Sequence, residues 1–176
     1  MSATKISNIG IPDIESVTGL IRDVAVQEIV SRFQKLESHE IGDKASGEIV
    51  TAADIEAEKL LSAGLSDMLP GSRVIGEEAA SADPGLFDLF KGDDPVWIVD
   101  PVDGTRNFAN GIHRFGVIVA LWADGRTRAG WLHDPLTGNT VTAVEGEGAW
   151  QDGRRHGGVM EEVPDRRVDD EAQGAA

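Results

Sequence analysis

The apolar positions of this chain keep a helical period in its first half and a strand-like one in its second. From Asp13 to Leu36 they recur at Ile14, Val17, Ile21, Val24, Ile29, Phe33 and Leu36. Steps of three to five residues place them on one stripe of a long amphipathic helix. Pro12, Asp13 and Glu15 suit its first turn. A second helix is predicted over Ala52 to Leu69, with Ile55, Leu61, Leu65 and Met68 on one side and Pro70-Gly71 as the stop. Between the two, Gly42 to Gly47 reads as a loop and Glu48 to Thr51 as a short strand. Arg73 to Ile75 is a brief strand ending in Gly76-Glu77-Glu78. Ser81 to Asp94 is polar apart from Leu86, Phe87, Leu89 and Phe90, and reads as a surface loop pinned by one helical turn.

From Trp97 onward strand follows strand. Trp97 to Val99 is predicted as a buried strand ending at Asp100, because Pro101 opposes continuation. Gly116 to Ala123, Thr127 to His133 and Asn139 to Val144 form a predicted antiparallel meander. Its turns fall at Asp124-Gly125, Asp134 to Gly138 and Glu145 to Gly148. The expected fold class is α+β, an antiparallel sheet layered with two long helices. Residues 1–12 read as a lead-in without period. After Arg155 the periodicity vanishes, and six of eight charged residues from Gly157 to Ala176 are acidic. Residues 156–176 are therefore expected to be a disordered tail.

Composition narrows the options further. A length of 176 residues is ample for one domain and marginal for two, and 40% hydrophobic content supports a sizeable core. No apolar run reaches membrane-spanning length, and no signal segment opens the sequence. Cysteine is absent, which removes disulfides and thiolate chemistry and fits a cytoplasmic setting. The formal charge of −15 speaks against nucleic-acid and membrane partners. An anionic substrate would need a local reversal of the field, which bound divalent cations supply.

Candidate chemistry centres on W-I-V-D-P-V-D-G-T-R-N-F, residues 97–108. Asp100 and Asp103 stand at a strand end, and Gly104 and Thr105 follow, with Thr105 opening a short helix. This is either a tight Asp/Pro/Gly turn or two carboxylates holding a hard cation beside a phosphate. Asp54 is either an acid favoured by the helix dipole or part of a site. Glu77 and Glu78 are either solvated or, at Glu77, a metal ligand or base. The four carboxylates Asp54, Glu77, Asp100 and Asp103, together with a phosphate-friendly turn and no cysteine, favour Mg²⁺-assisted phosphoryl chemistry. His113 and His133 read as solvent-facing or structural.

The sequence resembles the inositol monophosphatase family of Mg²⁺-dependent, commonly Li⁺-sensitive phosphatases. V-T-A-A-D (50–54), I-G-E-E (75–78) and the 97–108 stretch carry the resemblance in order and spacing, and G-E-G-A-W-Q-D-G (146–153) resembles a family hairpin. The match covers about Asp13 to Arg155, and the implied architecture is the N-terminal half of the αβαβα sugar-phosphatase fold. By position, the resemblance implies that Glu77, Asp100 and the Val102 carbonyl hold a first metal ion, and Asp100 and Asp103 a second. Glu77 and Thr105 would orient a metal-activated water, supported by Asp54. Asp103, together with the Gly104 and Thr105 N–H groups, would receive the substrate. Lys44 lies where the family often keeps a basic residue, although one residue less than expected separates it from Asp54.

The implied function is hydrolysis of a small phosphate monoester, with inositol monophosphate as first choice. A 3′-nucleotidase-type or other sugar-phosphate phosphatase, or a non-catalytic metal- or partner-binding module, are the alternatives. Nothing in the chain matches the W-D-x-A-A-type motif whose Asp completes the family's second metal site. The expectation is therefore a truncated or frame-shifted member of weak or no activity. Completion by another chain and a genuine short module are the competing arrangements. Apolar surface left uncovered would favour self-association, including homo-oligomers.

Overall fold

The computed structural model describes residues 10–44, 47–151 and 153–156. A helical layer lies on one face of a seven-stranded sheet. Helix α1 (Ile14–Val24) starts at Asp13, whose carboxylate accepts from the Ser16 N–H at 2.8 Å. It runs straight into a π-helical turn over Ala25–Val30. The single helix expected to reach Leu36 is thus shorter and partly π. The apolar step from Val24 to Ile29 is five residues, and the wider π-turn lets both stay buried. Gln34, at φ 59, turns the chain away.

Strands β1 (Ile41–Asp43) and β2 (Ile49–Thr51) pair as an antiparallel hairpin, so part of the expected loop at Gly42 is strand. Helix α2 (Ala52–Met68) follows directly and matches its expected span within a residue. Strand β3 (Arg73–Gly76) leads into helix α3 (Glu77–Ala82), where only a strand end was expected. A 3-10 run over Pro84–Lys91 is longer than the expected single turn, and its Phe90 packs edge-on against Trp122 at 5.5 Å.

Strand β4 (Val96–Asp103) continues through Pro101, contrary to the sequence expectation. The pairing shows why. Its partners on one side end at Gly76↔Val99, and on the other the register shifts between Asp100 and Asp103. Pro101 therefore sits in a bulge where neither neighbour needs its missing N–H. Helix α4 (Thr105–Ala109) then opens at Thr105, as expected.

Strands β5 (Gly116–Ala123), β6 (Arg126–His133), β7 (Thr140–Val144), β8 (Gly148–Gln151) and β9 (Arg154–His156) complete the order β3-β4-β5-β6-β7-β8-β9. All neighbours are antiparallel except β3 and β4, which are parallel. The expected three-strand meander stands as β5, β6 and β7, and β8 and β9 extend it beyond the expectation.

Alternate residues of β5 and β6 face α1 and α2. Val119, Leu121 and Trp131 pack there with Ile21, Leu61, Leu65 and Trp97 in one buried cluster. The opposite face carries Ile118, Leu132 and Val141 as cross-strand neighbours, and Leu132 is 54% exposed. Apolar sheet surface is uncovered there, as anticipated. No helix among the described residues is long and apolar enough to cross a membrane. Most of the expected lead-in lies outside the described residues; of the expected tail over 156–176, His156 instead ends strand β9, and the rest lies outside the described residues.

Candidate active site

Four chain segments deliver the nominated residues to one end of the sheet. Thr51 and Asp54 form a reciprocal capping box at the start of α2. Asp54 Oδ2 accepts from the Thr51 N–H at 2.8 Å and from Thr51 Oγ1 at 2.5 Å. The Asp54 side chain is fully buried, and burial pushes its carboxyl above the usual range, against the pull of its hydrogen bonds from Thr51 and Thr105. Thr105 Oγ1 lies 3.2 Å from Asp54 Oδ1 and 3.0 Å from the Val102 carbonyl oxygen. The hydroxyl carries one proton for these two acceptors, so it donates to one or the other and keeps lone-pair capacity for a third partner.

Gly104 joins β4 to α4 at φ 94, a left-handed conformation in which a Cβ would stand 2.8 Å from the Arg114 carbonyl oxygen. Glycine is required there on both counts. An open cleft of about 330 Å³ is lined by Glu77, Asp100, Val102, Asp103, Gly104 and Thr105. Six nominated residues thus share one space. Asp54 stands behind Thr105 rather than lining the cleft. His113 is exposed, and His133 is buried with Nδ1 3.0 Å from Thr140 Oγ1. Neither lines that cleft.

Lys44 arrives from the β1–β2 hairpin. Its Nζ pairs with Glu77 Oε1 at 2.6 Å and Glu78 Oε1 at 2.8 Å, and its side chain is only 6% exposed. Burial alone would lower the ammonium pKa, but the hydrogen bonds Lys44 donates to both glutamates, and their charges, outweigh it and hold Lys44 above its usual range. Lys44 therefore belongs to the site more firmly than its spacing from Asp54 suggested. Glu78, left without a role by the sequence, is its second anchor.

Asp100 is the most perturbed carboxyl of the cleft. Burial first, then the charge and hydrogen bond of Glu77, then Asp103 and Asp54, push its carboxyl up to about 8. Its Oδ1 is buried without a hydrogen-bond partner. An orphaned carboxylate oxygen among repelling carboxylates and a backbone carbonyl is a donor set of hard oxygens only, and it fits a small divalent cation. Among the described residues no three carboxylates or histidines stand together as a preformed cage. Glu77 is turned toward Lys44 instead.

Two further residues escaped the sequence reading. Arg106, one position beyond Thr105, lines the cleft as a cationic group. Glu58, one turn beyond Asp54 on α2, is 8% exposed and accepts N–H groups from the start of α3. Its signal is a second carboxylate, one turn after Asp54, beside the buried Ala57, Leu61 and Leu65.

The sequence model of the inositol monophosphatase family matches residues 13–171. The chain belongs to the inositol monophosphatase family. The match runs beyond Arg155, where the motif resemblance ended. Inositol monophosphatase 2 of Solanum lycopersicum is 35% identical over 138 residues, covering 75% of this chain and 51% of that protein. A histidinol-phosphatase of Chlorobaculum parvum is 37% identical over 105 residues, covering 59% and 38%. Among solved structures, an IMPase of Thermotoga maritima superimposes with a TM-score of 0.68 at 28% identity, covering 81% of this chain and 52% of that one. The chain spans about half the length, or less, of the curated relatives it matches. The α+β fold and the family's phosphatase character stand on this agreement. The relatives carry different names, inositol monophosphatase and histidinol-phosphatase among them.

Proposed function

We propose that this chain forms the acidic half-site of a Mg²⁺-dependent hydrolase of small phosphate monoesters, with an inositol monophosphate as first substrate. The observation that carries the reading is the unpartnered Asp100 Oδ1 in a cleft where Glu77, Asp103 and the Thr105–Asp54 pair converge.

Glu77, Asp100, Asp103 and the Val102 carbonyl would hold Mg²⁺. When bound, Mg²⁺ supplies neutralisation of phosphate charge and Lewis-acid activation of water. The residues of the chain do the rest. Thr105 Oγ1, its proton directed at Asp54 or the Val102 carbonyl, uses its free lone pair to accept from the attacking water. Glu77 is the second acceptor for that water. The N–H groups of Gly104 and Thr105, together with Arg106, meet the phosphate. Water adds to phosphorus and gives one proton to Glu77, the ester P–O bond breaks, and that proton passes by way of solvent to the departing alkoxide, which leaves as the alcohol.

Release of inorganic phosphate from inositol 1-phosphate, followed with and without Mg²⁺, tests the reading. Mg²⁺-dependent release abolished by Asp100→Asn supports it, and equal background release from both proteins overturns it. Inhibition by Li⁺ is expected in the same assay. A cytoplasmic setting fits the cysteine-free composition. Self-association through the uncovered face around Leu132 is expected from its exposure.

A further inference from the structure

Helix α3 begins at Gly76, which has no side chain to cap it. The cap comes from another helix. Glu58 Oε2 accepts the Glu78 N–H at 2.7 Å, and Glu58 Oε1 accepts the Ala79 N–H at 3.0 Å. Both oxygens are thus committed to backbone donors, and the carboxylate is charge-matched to the helix start. The space it crosses is the space a side chain at position 76 would need. A Cβ on Gly76 would lie 2.1 Å from Glu58 Cδ and 2.4 and 2.5 Å from its oxygens. Gly76 and Glu58 are therefore one fitted pair.

We propose that Glu58 is a positioning residue for the acidic cleft: by capping α3 from α2 it fixes the backbone from which Glu77 projects. Asp54 and Glu58 stand one turn apart on α2. The first holds Thr105 and the second holds the start of α3. Helix α2 thus sets the separation between the Thr105 side and the Glu77 side of the cleft. The inference rests on the reading that Glu77 serves a cation-dependent phosphatase site.

The test compares the whole chain with Glu58→Gln and Gly76→Ala. Glutamine keeps one acceptor but turns an NH₂ toward an N–H. Alanine at 76 displaces the carboxylate without removing it. Mg²⁺ affinity by titration calorimetry is expected to weaken at least about tenfold in Glu58→Gln, the scale on which residues that orient metal ligands act. Gly76→Ala should move it in the same direction. A lowered unfolding midpoint with Mg²⁺ affinity within about twofold of the parent would reduce Glu58 to packing and overturn the proposal. If the parent chain binds no Mg²⁺, the phosphatase reading fails separately. Hydrogen exchange then decides: faster exchange of the Glu78 and Ala79 amides, with α2 amides unchanged, supports the clamp. Unchanged exchange there refutes it.

Discussion

Thr105 Oγ1 stands 3.2 Å from Asp54 Oδ1, so two helix starts 51 residues apart share one polar unit. Asp54 is fully buried and satisfied by Thr51 and Thr105. Asp54→Asn replaces a charged acceptor with an amide that also presents donors. The loss is expected to be about 1.5–3 kcal/mol, the range for hydrogen bonds to a charged group. Thr105→Ala removes the group that would orient water, and phosphate release should fall about 100-fold or more. Because the two residues act together, the double variant should lose less than the sum of the singles in urea denaturation. Additive losses would dissolve the pair.

The elevation of Asp100 to about 8 carries a sign. A carboxyl whose folded value exceeds its unfolded one stabilises the fold while protonated. That stabilisation is complete below about 3.8 and drains away as pH rises through about 8. With a chelator present, the unfolding midpoint should therefore fall between pH 5 and pH 8, and Asp100→Asn should flatten that fall. Mg²⁺ should bind more tightly at pH 8 than at pH 6, since the proton must leave first. A midpoint that rises with pH in chelator would contradict this assignment.

Lys44 shares its single positive charge between Glu77 and Glu78. Lys44→Met leaves two partly buried carboxylates facing each other. A fully buried pair would lose about 3–5 kcal/mol, and the partial exposure of Glu77 brings the expected loss to about 2 kcal/mol. Mg²⁺ should then restore more stability to this variant than to the parent, measured as the shift in melting temperature on adding the ion. An equal shift in both would separate Lys44 from the cation site.

Gly104→Ala meets two obstacles, a φ of 94 and the Arg114 carbonyl 2.8 Å from the new Cβ. A left-handed non-glycine residue alone costs about 1–2 kcal/mol, and relieving the contact moves Arg114 and Phe115. Urea denaturation should show a loss above 2 kcal/mol, roughly the combined scale of strain and overpacking. A neutral substitution would mean that the turn can relax.

Periodicity and turn chemistry are local signals, and they carry the strands β5 to β7, helix α2 and the start of α1, whereas the cleft residues come together only through the motifs of the family resemblance. What the sequence hid depends on neighbours distant in the chain. Pro101 has the local signature of a strand stop, and the register shift against β5 shows where its missing N–H goes unneeded. Glu77 and Glu78 have the local signature of a strand end, and the helix they open is capped from Glu58, about 20 residues earlier. Lys44 looked displaced by one residue, and the β1–β2 hairpin, invisible in a three-residue strand pattern, carries it to Glu77. The π-turn at Ala25–Val30 was written in the five-residue step from Val24 to Ile29, a spacing an α-helical template absorbs without notice.

The bulge at Pro101 also constrains how this protein reaches its native state. Asp100 and Asp103 lie on either side of it, each paired to β5, at Ile118 and Gly116. In the native state both carboxylates take their places from the β4–β5 pairing on the two sides of the proline. Glu77 depends in turn on the β3–β4 pairing, and Thr105 on α2. In a refolding experiment, cation affinity should recover in step with burial of Trp97 and Trp131, as one late cooperative event. Peptides carrying residues 97–108 alone should show none of it.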